Sequence, residues 1–243
     1  MSTRLPEKEG GPELRFLDQL ARSSGRRTFL AWSGLTMAVA ALGCSDDDNG
    51  TGPGSGEANL GTGDTGILNY AYALEQLEAA FYTAVLAAPY AGITADETAI
   101  LTDIRNHEVI HRDFFAGALG SAAIGALAVT FTSVNLSVRA EVLGAAKTFE
   151  DLGVSAYNGA GKLLTVPANL VRAGRIVSVE ARHAAAIRDL LVPNSNAIGS
   201  FAGDDTVDPV TGLEIPERTP TQVLAAADPY VTTTINASGL PTS

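Results

Sequence analysis

Two Glu-x-x-His pairs, each preceded one helix upstream by a lone glutamate, constrain this chain more than any other feature. The first set is Glu75 with Glu108 and His111, in "NHEVIH"; the second is Glu150 with Glu180 and His183, in "SVEARH". The lone glutamates precede their pairs by 33 residues (75 to 108) and 30 residues (150 to 180). Each is followed seven residues later by a tyrosine, Tyr82 and Tyr157. Residues three apart on an α-helix share a face, so each pair turns a carboxylate and an imidazole to one side. Four glutamates and two histidines on four helices make the ligand set of a dinuclear metal site inside a bundle. The fold class expected is all-α, a four-helix bundle with a long crossover between its second and third helices.

Periodicity and punctuation place the helices. The first is expected over about 66–88, stopped by Pro89. The second starts after Thr94, with Glu97 as its capping-box partner, and stops at Gly120. Residues 121–136 are small or β-branched without helical period and read as the crossover. The third helix is expected from near Ser137 to about Gly161, and the fourth from Pro167, a favourable first position, to Leu191. A 3-4 spacing selects Leu101, Ile104, Glu108, His111, Phe115 and Ala118 on the second, and Ala173, Ile176, Glu180, His183, Ile187 and Leu190 on the fourth. The same spacing gives Glu75, Glu78 and Tyr82 on the first helix and Glu150, Gly153 and Tyr157 on the third.

A buried carboxylate needs a partner or a metal. Four ionised glutamates carry four negative charges, which two divalent cations neutralise. Glu78 can also face inward and is a substitute for, or an addition to, Glu75. A competing pattern overlaps the first pair, because His107-Glu108-Val109-Ile110-His111 matches H-E-x-x-H, the zinc hydrolase helix. The extended zinc motif would need Gly at 114 and His at 117, where the chain has Phe114 and Gly117. It also leaves the second Glu-x-x-His unexplained. His107 is then a neighbour on the helix flank that supports the ligands from outside.

The ends of the chain carry a different message. Residues 1–43 read as a twin-arginine signal, with Arg26 and Arg27 followed by Phe29 and Leu30. The apolar run after them is about 14 residues, short of the ~20 a membrane span needs. Cys44, the only cysteine, follows small residues in "ALGC" and resembles a lipobox, so a lipid anchor on Cys44 is expected. No intrachain disulfide can form. Residues 44–65 read as a flexible acidic, Gly-rich tether and 193–243 as an irregular extension in which "TQVLAAADPYV" forms a short helix. A net charge of −11 excludes the basic footprint of a nucleic-acid binder.

The segments "LNYAYALEQLEAAFY", "NHEVIHRDFF", "FEDLGVSAYNGA" and "SVEARHAAAIR" resemble the ferritin-like superfamily, and most closely its exported, desiccation-associated bacterial members. The likeness covers 66 to about 192, and "TPTQVLAAADPYV" resembles that group's C-terminal segment. It implies Glu75, Glu108, His111, Glu150, Glu180 and His183 as ligands, with Glu108 and either Glu150 or Glu180 bridging. It places Tyr82 and Tyr157 beside the metals as hydrogen-bond donors or redox relays. Oxygen-rich ligands with one histidine per metal suit two iron or manganese ions. The expected partner is a small oxidant (peroxide or dioxygen) or ferrous iron, in the periplasm or cell envelope. A homo-oligomer is expected from the habit of such bundles to associate. The alternative from a different class is a non-catalytic, metal-binding, stress-protective envelope protein.

Overall fold

A computed structural model describes residues 56–192, 203, 205–214 and 218–242. The signal with Arg26 and Arg27, the lipid-acceptor Cys44, most of the tether and the start of the C-terminal extension lie outside the described residues.

Four long helices carry the fold: α1 (Gly63–Ala87), α2 (Ala95–Leu119), α3 (Arg139–Gly161) and α4 (Pro167–Leu191). α1 packs along α2 and α3 along α4, while α1 also meets α3 and α2 meets α4. The result is the all-α four-helix bundle expected. Each boundary has a chemical cause. Pro89 stands just beyond α1. Thr94 and Glu97 form the reciprocal cap that opens α2, with Glu97 N donating to Thr94 Oγ1 at 3.1 Å and Thr94 N to Glu97 Oε2 at 2.9 Å. The second oxygen of Glu97 accepts from Arg139 Nε at 2.6 Å, and Arg139 Nη2 donates to Leu190 O at 2.6 Å. One cap thus joins the start of α2, the start of α3 and the end of α4. Gly120 ends α2 at φ 54, in the region that favours glycine.

The crossover opens with a single 3-10 turn, Gly120–Ala122, runs extended to Phe131 and reaches α3 through two turns, closed by Val134 N to Phe131 O and Val138 N to Asn135 O. Two polar side chains of α1 hold it. Buried Asn69 accepts from Ile124 N at 2.9 Å and donates to Ala122 O at 2.9 Å and Leu60 O at 3.1 Å. Gln76 Oε1 accepts from Leu127 N at 2.8 Å. Buried backbone groups without a ladder must be satisfied by side chains, and these two amides do that. The helix core is led by Leu74, Leu77, Phe81, Leu101, Ile104, Leu143, Phe149 and Ile187. Phe81 lies edge-on to Phe149, at 4.9 Å between ring centres, and Phe149 edge-on to Tyr230 at 4.8 Å.

Three expectations need correction. The tether was expected to run to residue 65, but β1 (Ala58–Asn59) pairs in parallel with β2 (Ile235–Asn236), and Leu60 is wholly buried. The extension was expected to be irregular throughout 193–243, with a short helix in "TQVLAAADPYV". That helix is present as α5 (Pro220–Ala227), capped by Thr219 and packed on α3, and β2 follows it. A two-residue pair leaves no periodic trace in a sequence, so neither end could be read this way. At the end of α2, Leu119 is buried and Ala118 is exposed, because the last step there is four residues. Among the described residues no helix is long and apolar enough to cross a membrane.

Candidate metal centre

Glu75, Glu108, Glu150 and Glu180 come from α1, α2, α3 and α4 in turn, and each is completely buried at the centre of the bundle. His183 is 4 % exposed, and the side chain of His111 12 %. Taking one carboxylate out of water costs several kcal/mol. Four in one layer, flanked by Ile104, Phe115, Ile176 and Ile187, form an arrangement that helix packing alone would expel.

Both imidazoles point Nδ1 inward. His111 Nδ1 lies 2.9 Å from Glu180 Oε1 and 3.4 Å from Glu75 Oε2 and Glu108 Oε2. His183 Nδ1 lies 2.7 Å from Glu108 Oε1, 3.4 Å from Glu150 Oε2 and 3.7 Å from Glu180 Oε2. These eight atoms fall into two sets of four, each used once. None of the eight makes a hydrogen bond, although every one is buried. Within each set the four atoms lie within 4.8 Å of one another. Two groups could each hold a metal ion: Glu75, Glu108, His111 and Glu180, and Glu108, Glu150, Glu180 and His183. Glu108 and Glu180 belong to both, whereas Glu150 belongs to one.

The electrostatics show what stands in for cations. Burial would push His111 and His183 down, but the surrounding glutamates hold both up to about 12. Burial would raise Glu108, yet the two imidazoles bring it to about 2. Burial lifts Glu150 to about 8 and Glu75 well above the carboxylate range, with neighbouring carboxylates adding to the rise in both. The cluster is overloaded with negative charge, and bound protons offset it. Divalent cations would do the same without the protons. The residues therefore fit a pair of metal ions.

The terminal glutamates are fixed from behind. Tyr82 donates its hydroxyl to Glu150 Oε1 at 2.5 Å, and Tyr157 donates to Glu75 Oε1. The other oxygen of each carboxylate faces the cluster. Burial, then the carboxylate each one touches, lifts both phenols well above their usual value, so both remain donors. His107 lies in neither group. Its Nδ1 sits 2.9 Å from His183 Nε2, with the rings stacked at 5.1 Å and 9°. His107 and His111 therefore do not converge on one point, as H-E-x-x-H zinc binding requires. Glu78 is buried but lies outside both groups. Asp103, Asp151 and Asp189 are not the outer partners of the histidines. Asp151 is taken by Arg188 at 2.8 Å, and Asp103 and Asp189 are exposed. The His107–His183 contact escaped the sequence reading because it joins residues 76 apart on helices whose register was not yet known. Its one signal was the position of His107 beside a ligand on α2.

A family model described as ferritin-like domain matches residues 63–193, the span of the four long helices. No curated protein matches the chain.

Proposed function

The chain belongs to the ferritin-like domain family, and from that premise we propose that it is an exported dinuclear iron or manganese protein, an oxidoreductase acting on peroxide, dioxygen or ferrous iron in the cell envelope. The observation that carries this reading is the division of eight buried, unpaired donor atoms into two sets that share Glu108 and Glu180. Iron or manganese suits a set of three carboxylates and one imidazole better than zinc, which favours sulfur and nitrogen. Two such ions, when bound, supply a paired one-electron couple at each of two adjacent positions.

The chain's own residues prepare that chemistry. Glu108 on α2 and Glu180 on α4 belong to both groups and would hold both ions. Glu75 and Glu150 close the outer sides, each kept from rotating by a tyrosine hydroxyl. The apolar layers around the cluster keep bulk water away, so charge placed there is weakly screened. Export rests on Arg26, Arg27 and the apolar run that follows, and anchoring on Cys44. A homo-oligomer is the assembly we expect.

Elemental analysis of the purified protein beside the Glu108→Ala, Glu180→Ala double variant tests the proposal. About two iron or manganese per chain in the first and none in the second is expected. One zinc per chain, or no metal in either, overturns the reading. Peroxide and dioxygen consumption by the loaded protein then separates an oxidoreductase from a protein whose metals are only structural.

A further inference from the structure

The two halves of the cluster are related by an internal pseudo-twofold. It exchanges Glu75 with Glu150, Tyr82 with Tyr157, Glu108 with Glu180 and His111 with His183. The same offsets exchange His107 with Val179 and Glu78 with Gly153. At those two places a polar side chain faces one that has no polar group, and both departures fall on the same half.

His107 Nδ1 stands 2.9 Å from the outer nitrogen of His183, Nε2. A neutral His183 that turns its Nδ1 lone pair to the cluster carries its proton on Nε2, where His107 Nδ1 is in reach to accept it. Opposite it, the side chain of Val179 offers His111 no acceptor. Glu78 fills space that exists only because residue 153 is glycine. A Cβ built on Gly153 would stand 3.1 Å from Glu78 Oε1 and 3.7 Å from Glu180 Oε2. Glu180 Oε2 is the oxygen that belongs with His183, so the fifth buried carboxylate lies on the His183 side.

Taking the dinuclear reading as given, we propose that the two metal positions are unequal. The position formed by Glu108, Glu150, Glu180 and His183 fills first and holds its ion more tightly. His107 is a positioning residue for it, and Glu78 places a fifth buried carboxyl group beside it. The position around His111 fills second. Removing the outer partner of a metal-bound histidine typically weakens binding about 10–100-fold, and that factor sets the expected gap between the two steps.

The test is a calorimetric and optical titration of metal-free full-length protein with cobalt(II) alone. The wild-type chain should bind in two steps separated by at least about tenfold. At one equivalent, anomalous diffraction should place the ion beside His183. His107→Val should weaken the tighter step toward the other, while His107→Gln, whose amide oxygen can still accept, should largely preserve it. Val179→His, which builds the missing pair at the other end, should tighten the weaker step and guards against a His107 variant that merely folds poorly. Two equal steps in the wild type, an ion beside His111 at one equivalent, or a tighter step unmoved by His107→Val each overturns the inference while leaving the dinuclear site intact. No cobalt uptake by the wild type overturns the dinuclear reading and this inference with it.

Discussion

Tyr82 hydrogen-bonds Glu150 on the helix beside it, not Glu75 seven residues back on its own helix. Tyr157 returns the relationship, binding Glu75 rather than Glu150. Two helices that carry the same seven-residue spacing and run antiparallel close both bonds together, because seven residues is two turns. The register of α1 against α3 is thereby fixed at the layer of buried carboxylates.

Tyr82→Phe leaves a buried Glu150 oxygen without its donor, at a cost of about 1–3 kcal/mol. Chemical denaturation of the metal-free protein should show that loss, and Tyr157→Phe should match it through Glu75. In the metal-loaded protein Tyr82→Phe should weaken the His183 position and Tyr157→Phe the His111 position. Equal weakening of both positions by either variant would contradict the crossed pairing.

Metal should be worth stability as well as chemistry. An ion bound only by the folded chain stabilises it by RT ln(1 + [L]/Kd), about 2.7 kcal/mol at a hundredfold excess over Kd. Adding manganese(II) to metal-free protein should therefore raise its melting temperature by several degrees, and chelation should reverse the rise. The Glu108→Ala, Glu180→Ala variant should show no such response, since both positions lose two donors. An equal rise in both proteins would place the binding elsewhere.

The pH dependence at the mouth of α4 has a definite sign. That helix has no side-chain cap of its own, and Asp64 of α1 supplies one. Asp64 accepts from Thr165 N at 2.8 Å, Thr165 Oγ1 at 2.7 Å, Val166 N at 3.1 Å and Asn169 Nδ2 at 2.9 Å. Partial desolvation alone would raise its pKa, but these bonds bring it down to about 2. A carboxyl lowered by folding contributes stability above its unfolded value near 4, and that contribution is lost as pH falls from about 4 to 2. The site is open to solvent, so the contribution is on the order of 1 kcal/mol after screening. Urea denaturation at pH 6 and pH 1.5 should show Asp64→Asn destabilised at the higher pH and nearly indistinguishable from wild type at the lower.

How far the sequence could be read follows from the same contacts. The four helices and the six inward Glu and His residues repeat at three, four or seven residues, the crossover lacks that period, and both signals are visible without coordinates. Which glutamates reach both histidines is not periodic. Glu150 and Glu180 occupy equivalent core positions, and only the crossing of α4 over α2 brings Glu180 to both histidines. Likewise, nothing in "LGVSAYNG" distinguishes Gly153, which admits Glu78, from Gly159, which admits a segment more than fifty residues later. Pairing between distant segments lies in the packing, so the pairing of Ala58–Asn59 with Ile235–Asn236 stayed hidden, while the short helix that packs on the bundle did not.

Gly159 provides the sharpest test of that docking, because two effects predict opposite signs. On an isolated helix, Gly→Ala should stabilise by about 1 kcal/mol. In the folded chain, a Cβ at 159 would stand 1.9 Å from the backbone oxygen of Arg218, whose nitrogen donates to Ser155 O at 3.3 Å. Backbone cannot swing aside as a flexible side chain can, so the segment leading into α5 must lift. Overpacking of this kind costs about 1–3 kcal/mol, which exceeds the helical gain. Gly159→Ala should therefore lower stability and expose the chain near Arg218 to limited proteolysis, with metal content unchanged. Gly144→Ala, on the same helix with nothing within 4 Å of the added carbon, should show the helical gain alone. Equal stabilisation by both substitutions would mean that α5 does not rest on α3 in solution.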